Sequence, residues 1–348
     1  MKEVSIIIVS FNGLLETTKP CVESIFEHTV GLDYEIIVVD NASQDATPDF
    51  LKQTAAAQPR LRWFGNRSNL GYAAANNLGL AAAQGDCLVL LNSDTIVTDQ
   101  SLTKLASFVC TNPDVGLAGP VTNFAGNEQR IFTDTGEVAS ILAQGLVWTA
   151  NSRGDLFDTE RLGFFCVAMR RNHFERIGPL DETFGLGFFE DDDYCIRSIK
   201  AGFRLVCLED AFVYHRGSQS FSQHPPAELK ALMKKNRRTF EQKHGRIYQP
   251  LRACERQLQL ARHCLSQADA SSRPRRLFKA DNRLKMARAC QPKSPAKRFW
   301  FHLRCLQAER AIERLRAKQC AVSTELVSPP DLPGAVQHSS SLTTAPKP

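Results

Sequence analysis

Short β-branched runs alternate with amphipathic stretches from residue 4 to about residue 216, and this alternation restricts the fold more than any other feature of the chain. Val4-Ser5-Ile6-Ile7-Ile8-Val9, Ile36-Ile37-Val38-Val39 and Leu88-Val89-Leu90-Leu91 are each followed by a segment with helical spacing, the pattern of βα units around a mostly parallel sheet. Strands are predicted over 4–9, 34–39, 61–64, 87–91, 115–119, 163–169 and 204–208. Helices are predicted over 14–28, 44–57, 72–84 and 101–111, with Ser43 as an N-cap and Gly85 as a stop signal. The expected class is α/β, with a Rossmann-like nucleotide-binding sheet flanked by helices.

The 348 residues exceed what one core usually supports, so a large domain with an appendage is expected. The appendage is basic. Residues 228–320 hold 25 Lys and Arg against 7 Asp and Glu, which leaves the rest of the chain near −12 although the total is +6. Within it, 228–266, 276–290 and 297–320 read as helices separated by Ser/Pro breaks, and the chain beyond Ser323 is too polar to fold alone. The resulting division is a nucleotide-binding type of α/β domain over 1–225, a basic helical extension over 226–322 and a disordered tail over 323–348. Eleven scattered cysteines without a CxxC pair point to reduced thiols rather than a disulfide framework or a zinc site. The first apolar run is too short for a secretory or membrane-spanning segment, so a cytoplasmic protein is expected.

In an open α/β sheet the ligand lies at the carboxyl ends of the strands. Here those ends carry Ser10-Phe11-Asn12, Asp40-Asn41-Ala42-Ser43, Asn69-Leu70-Gly71-Tyr72 and Asn92-Ser93-Asp94. Asp40 suits the ring N–H of a nucleobase, or else the dipole of the helix that follows. Asn92-Ser93-Asp94 offers a carboxylate and an amide oxygen two residues apart, half a site for a diphosphate-bound Mg²⁺ or Mn²⁺, although such a triplet alone is more often a capping turn. The strongest local feature is Glu190-Asp191-Asp192-Asp193, which opens a predicted helix. Successive side chains step about 100° around a helix axis, so at least one acid should face the cleft. There, the helix dipole keeps a carboxylate ionised while neighbouring carboxylates push the other way, which suits a base competent near neutral pH; an acidic cap on an ordinary helix is the alternative. His215 follows Phe212-Val213-Tyr214 and is a candidate to complete a metal site, with Arg216 beside it for a phosphate.

Taken in order, these motifs resemble the inverting family 2 glycosyltransferases of GT-A fold, in particular a bacterial branch that includes rhamnosyltransferases. The resemblance covers residues 4 to about 221 and adds Gly178-Pro179-Leu180-Asp181-Glu182 and Ser218 or Ser220 to the residues above. It implies Asp191 as general base, with Glu190 and Asp193 near the acceptor. It implies Asp40, Ser10 and Asn12 at the nucleotide, and Asn69, Gly71, Tyr72, Asn76 and Ser93 around the rest of the donor. Asp94 resembles the last acid of the family's DxD motif and His215 the downstream histidine near the metal, which would be Mn²⁺ or Mg²⁺. Asn92 stands where the strict motif has its first acid. The implied activity is transfer from dTDP-rhamnose or a UDP-hexose to a glycan or lipid-linked acceptor during cell-surface polysaccharide, lipopolysaccharide or other glycan synthesis. A catalytically silent domain that binds a nucleotide sugar or a partner is the alternative. The segment Ser294-Pro295-Ala296-Lys297-Arg298-Phe299-Trp300-Phe301-His302-Leu303-Arg304 mixes aromatics with cations, which suggests contact with the inner face of a membrane, a solvated helical face being the alternative; nucleic acid is not an expected partner.

Overall fold

The computed structural model describes residues 3–134, 136–217, 225–249 and 252–325. Its central sheet contains β1 (Val4–Ser10), β2 (Tyr34–Asp40), β3 (Leu61–Gly65), β4 (Cys87–Asn92), β5 (Thr95–Val97), β6 (Val115–Val121), β7 (Leu156–Thr159), β8 (Cys166–Arg170) and β9 (Arg204–His215). The order is β3-β2-β1-β4-β8-β6-β9-β5, with β7 also paired to β9. Strands β3, β2, β1 and β4 run parallel, and β6 runs parallel to β9. The strand β8 enters between β4 and β6 in the antiparallel sense.

The first strands are Ile/Val-rich without alternation because helices cover both faces. Ile6, Ile8, Val38 and Val89 point to one side, where α1 (Lys19–His28), α2 (Thr47–Ala57) and α4 (Ser101–Thr111) supply Cys21, Ile25, Leu51 and Leu105. Ile7, Ile37, Leu88 and Leu90 point to the other, toward Ala73 and Leu80 of α3 (Tyr72–Ala82) and Tyr194 of α7 (Glu190–Lys200). The helices α5 (Val138–Ala150) and α6 (Arg171–Ile177) complete this body.

Several boundaries differ from the sequence expectation. A π-helical turn over Leu14–Thr18 precedes α1. Ser43 is not an N-cap: its Oγ accepts from the Asn12 N–H, and α2 begins at Thr47, whose N–H is taken by Asp45. The predicted helix over 228–266 is two helices, α8 (Pro226–His244) and α9 (Ala253–Ser266), followed by α10 (Arg273–Ala289) and α11 (Pro295–Glu325). The expected disordered tail lies almost wholly outside the described residues.

The C-terminal helices are docked on the sheet. Lys279 and Arg283 of α10 are fully buried and converge on Glu209 of β9, while Arg276 and Lys279 reach Asp155. Arg283 also lies over the Trp148 ring, 4.8 Å from its centroid. Glu209 remains below the usual carboxylate range although burial pushes it up, because Arg283 and Lys279 hold its charge. No described helix is long and apolar enough to cross a membrane.

Candidate active site

A cleft of about 690 Å³ opens at the carboxyl ends of the parallel strands. On one side, the tip of β4 delivers Asn92, Ser93 and Asp94. The antiparallel pairing of β5 with β9 sets Thr95 opposite His215, so Asp94 and His215 meet although 121 positions apart, with Asp94 Oδ1 3.3 Å from His215 Nε2. His215 Nδ1 lies 2.9 Å from the Phe124 carbonyl oxygen, which can only accept, so Nδ1 carries a proton and donates it there while Nε2 faces Asp94. Phe165 stacks on that ring at 5.1 Å and Phe124 meets it edge-on at 5.7 Å, which fixes its plane. Asn92 Oδ1 is buried with no hydrogen-bond partner among the described residues.

The loop over 66–71 is organised by Asn41. Its amide oxygen accepts from Asn66 Nδ2 and the Leu70 N–H, and its amide nitrogen donates to Asn69 Oδ1 at 2.8 Å. Gly71 has φ +84° and packs against the backbone of Gly185, so a side chain at 71 would collide with that carbonyl. The Tyr72 N–H donates to the Leu186 carbonyl, and the Tyr72 hydroxyl donates to the Phe164 carbonyl at 2.7 Å.

The loop over 185–189 leads into α7 under backbone strain. Phe188 and Phe189 have φ of 72° and 78°, a region that costs a bulky residue about 1–3 kcal/mol. Asn236 of α8 holds the loop from below: its buried amide donates to the carbonyls of Phe184, Gly187 and Phe188 at 2.6, 2.8 and 3.2 Å. The result aims Glu190, Asp191 and Asp192 at the cleft. Burial, followed by the charge of Asp192, raises the Asp191 carboxyl to about 7; burial and the charge of Asp191 raise Glu190 as well. Asp192 is held by Arg161 at 3.2 Å, and Arg161 lies against the ring of Tyr248.

Of the residues expected from sequence, Asn69, Gly71, Tyr72, Ser93, Asp94, Glu190, Asp191 and His215 line this one cleft. Others do not reach its wall. Asp193 turns the opposite way, fully buried in ion pairs with Arg197, Lys243 and His244. Ser10 bonds Thr18 Oγ1 at 2.6 Å, and Asn76 donates back to the Tyr72 carbonyl. Asn12 accepts from the Gln44 N–H, and Asp40 is buried at the same turn, where the Ser43 N–H approaches its carboxylate. These residues shape the turns behind the pocket. Arg216 donates to the Glu16 carbonyl. Ser218 and Ser220 lie outside the described residues. Sequence reading missed Arg161, Asn236, Met233 and Tyr248; the last two line the cleft from the region assigned to the extension.

The family profile described as Glycosyl transferase family 2 matches residues 5–178, half of the chain. The chain belongs to the family 2 glycosyltransferases. Among its relatives, protein y4gI of Sinorhizobium fredii is 26% identical over 66% of this chain and 26% of its own length. The O-antigen biosynthesis protein RfbC of Myxococcus xanthus is 28% identical over 62% of this chain and 17% of its own. This family 2 chain therefore spans about a quarter or less of the length of those relatives. Its fold is GT-A. It resembles the crystal structure of GalNAc-T7 with UDP, GalNAc and Mn²⁺, with a TM-score of 0.50, 16% identity and coverage of 71% of this chain and 55% of that one.

Proposed function

We propose that the chain transfers a sugar from a nucleoside-diphosphate donor to an acceptor hydroxyl with inversion, Asp191 acting as the base. One observation carries this reading: a single cleft joins a carboxyl raised to about 7, the Asp94–His215 pair and the ordered 66–71 loop. A base is most effective with its pKa near the working pH, because it is then ionised yet still basic. Asp191 takes the acceptor proton as the acceptor oxygen bonds to the anomeric carbon from the face opposite the phosphate. The anomeric carbon–phosphate oxygen bond breaks, and its electron pair leaves with the diphosphate. Burial raises the Asp192 carboxyl, and Arg161, paired with it beside the base, opposes that rise. Arg161 Nη1 and Glu190 Oε2, both on cleft-lining residues and both buried without a partner among the described residues, are suited to sugar hydroxyls.

A divalent ion fits the other half of the site. Mn²⁺ and Mg²⁺ commonly take one or two protein ligands and complete their shell with phosphate and water. Asp94 Oδ1 and His215 Nε2 would be two such ligands, with the Nδ1–H of His215 anchored on a carbonyl as metal-bound imidazoles usually are. Among the described residues no third His, Cys, Asp or Glu joins them. When bound, the ion supplies positive charge to the leaving diphosphate.

The donor is dTDP-rhamnose or a UDP-hexose and the product a cell-surface polysaccharide or lipopolysaccharide, a reading supported by the O-antigen relative. Because Met233 and Tyr248 contribute to the cleft, the proposed catalytic unit extends beyond residue 225 to about residue 249. The test is thermal stabilisation and donor hydrolysis across UDP-, dTDP- and GDP-sugars, with and without Mn²⁺. One nucleotide is expected to raise the melting temperature only with metal, and Asp94→Ala to abolish that increment. Silence across the panel from folded protein would favour the catalytically silent domain instead.

A further inference from the structure

We propose that the start of α11 is a docking patch that seats the protein on an anionic membrane surface. Phe299 and Trp300 are 60% and 67% exposed, and their rings touch edge to face with centroids 5.7 Å apart. They are not part of the packing of their own helix. Phe301, Cys305, Ala308 and Ile312 form the inward stripe that meets α9 and α10, and residues 299 and 300 fall outside it. Single exposed apolar residues are ordinary, but two adjacent large aromatics held in water need a partner.

The surrounding charge selects that partner. Between residues 289 and 308 the chain has Lys293, Lys297, Arg298 and Arg304 and no acid. Arg304 pairs with Glu255, whereas Lys293, Lys297 and Arg298 make no ion pair among the described residues. Lys297 and Arg298 occupy the first turn of the helix, where cations oppose the helix dipole. The local sequence thus works against its own helix and against water. An anionic interface relieves both, since lipid phosphates neutralise the cations and the rings enter the headgroup layer, where Trp and other aromatics partition. A single-stranded nucleic acid would instead require a cationic groove that tracks its backbone, whereas these free cations are confined to one helix end.

The experiment is co-sedimentation of the full chain with vesicles of phosphatidylcholine, with and without phosphatidylglycerol, at low and high salt. Binding is expected only with phosphatidylglycerol and should weaken with salt, together with a blue shift in emission that Trp300→Ser removes. Phe299→Ser/Trp300→Ser should bind at least about tenfold more weakly, and Lys297→Gln/Arg298→Gln weaker by about fivefold per charge. Both variants lie outside the cleft and should keep the wild-type melting temperature and donor-sugar hydrolysis. Equal sedimentation of wild type and the aromatic variant, no sedimentation at all, or capture by a single-stranded oligonucleotide in place of vesicles would overturn the proposal. None of these outcomes depends on whether the cleft transfers sugar.

Discussion

Asp191 and Asp193 are two positions apart on one helix and have opposite fates. The first faces the cleft in an acidic, desolvated setting, and the second is fully buried under three basic groups. The 100° step per residue makes it legible from sequence that some acid in the run must face inward. Which one does so was not legible from spacing, because Lys243 and His244 lie fifty residues downstream and only the docked α8 brings them near. The raised Asp191 and Glu190 also make a stability prediction. Their folded values exceed the unfolded ones, so the folded chain binds more protons, and stability falls as pH rises from about 4 through about 7. Asp191→Asn should therefore melt higher than wild type at pH 8, by about 2 °C or more, with the gap closing toward pH 4. A gap independent of pH in thermal melts would show that Asp191 is not held at a cost to the fold.

The loop over 185–189 joins three elements: α3 through Gly71 and Tyr72, α7 through the strained Phe188-Phe189 pair, and α8 through Asn236. Asn236→Asp would place a carboxylate against three carbonyl oxygens, and a buried charge without a partner typically costs about 3–5 kcal/mol. The expected outcome is a lower melting temperature and a fall in donor hydrolysis well beyond any fall in donor-induced stabilisation. If melting and hydrolysis both stay at wild-type values, the loop does not need this clamp. The long buried strands and α4 were predicted closely, because a continuous Ile/Val run or an amphipathic period is a local signal. The three-residue β5, the four-residue β7, and β9 continuing to His215 were not. Each depends on pairing with a distant partner; Thr95 is a strand residue only because His215 lies across from it.

For the whole molecule, the charge imbalance between the basic extension and the acidic remainder describes an internal interface. Lys243, Arg256, Arg276, Lys279 and Arg283 all reach carboxylates of the body. Lys279→Met would leave Asp155 and Glu209 short of a buried cation. It should destabilise the chain by about 3 kcal/mol in urea unfolding, consistent with loss of one partner from a buried ion pair; an unchanged midpoint would mean that the helices dock by apolar contact alone. The segregation of charge was visible in the sequence, but its use was not, since nothing local identifies Glu209 on β9 as the counter-charge.

The most direct test of the account is the pH dependence of donor-sugar hydrolysis with Mn²⁺, measured for wild type and Asp191→Asn, using water as the acceptor and the nucleotide identified by stabilisation. Wild-type kcat/KM should fall about tenfold per pH unit below about 7, and Asp191→Asn should lose about 10²–10⁴-fold while keeping the metal-dependent rise in melting temperature. Near-normal turnover by Asp191→Asn, with the same pH profile as wild type, would contradict the assignment of the base and the mechanism built on it.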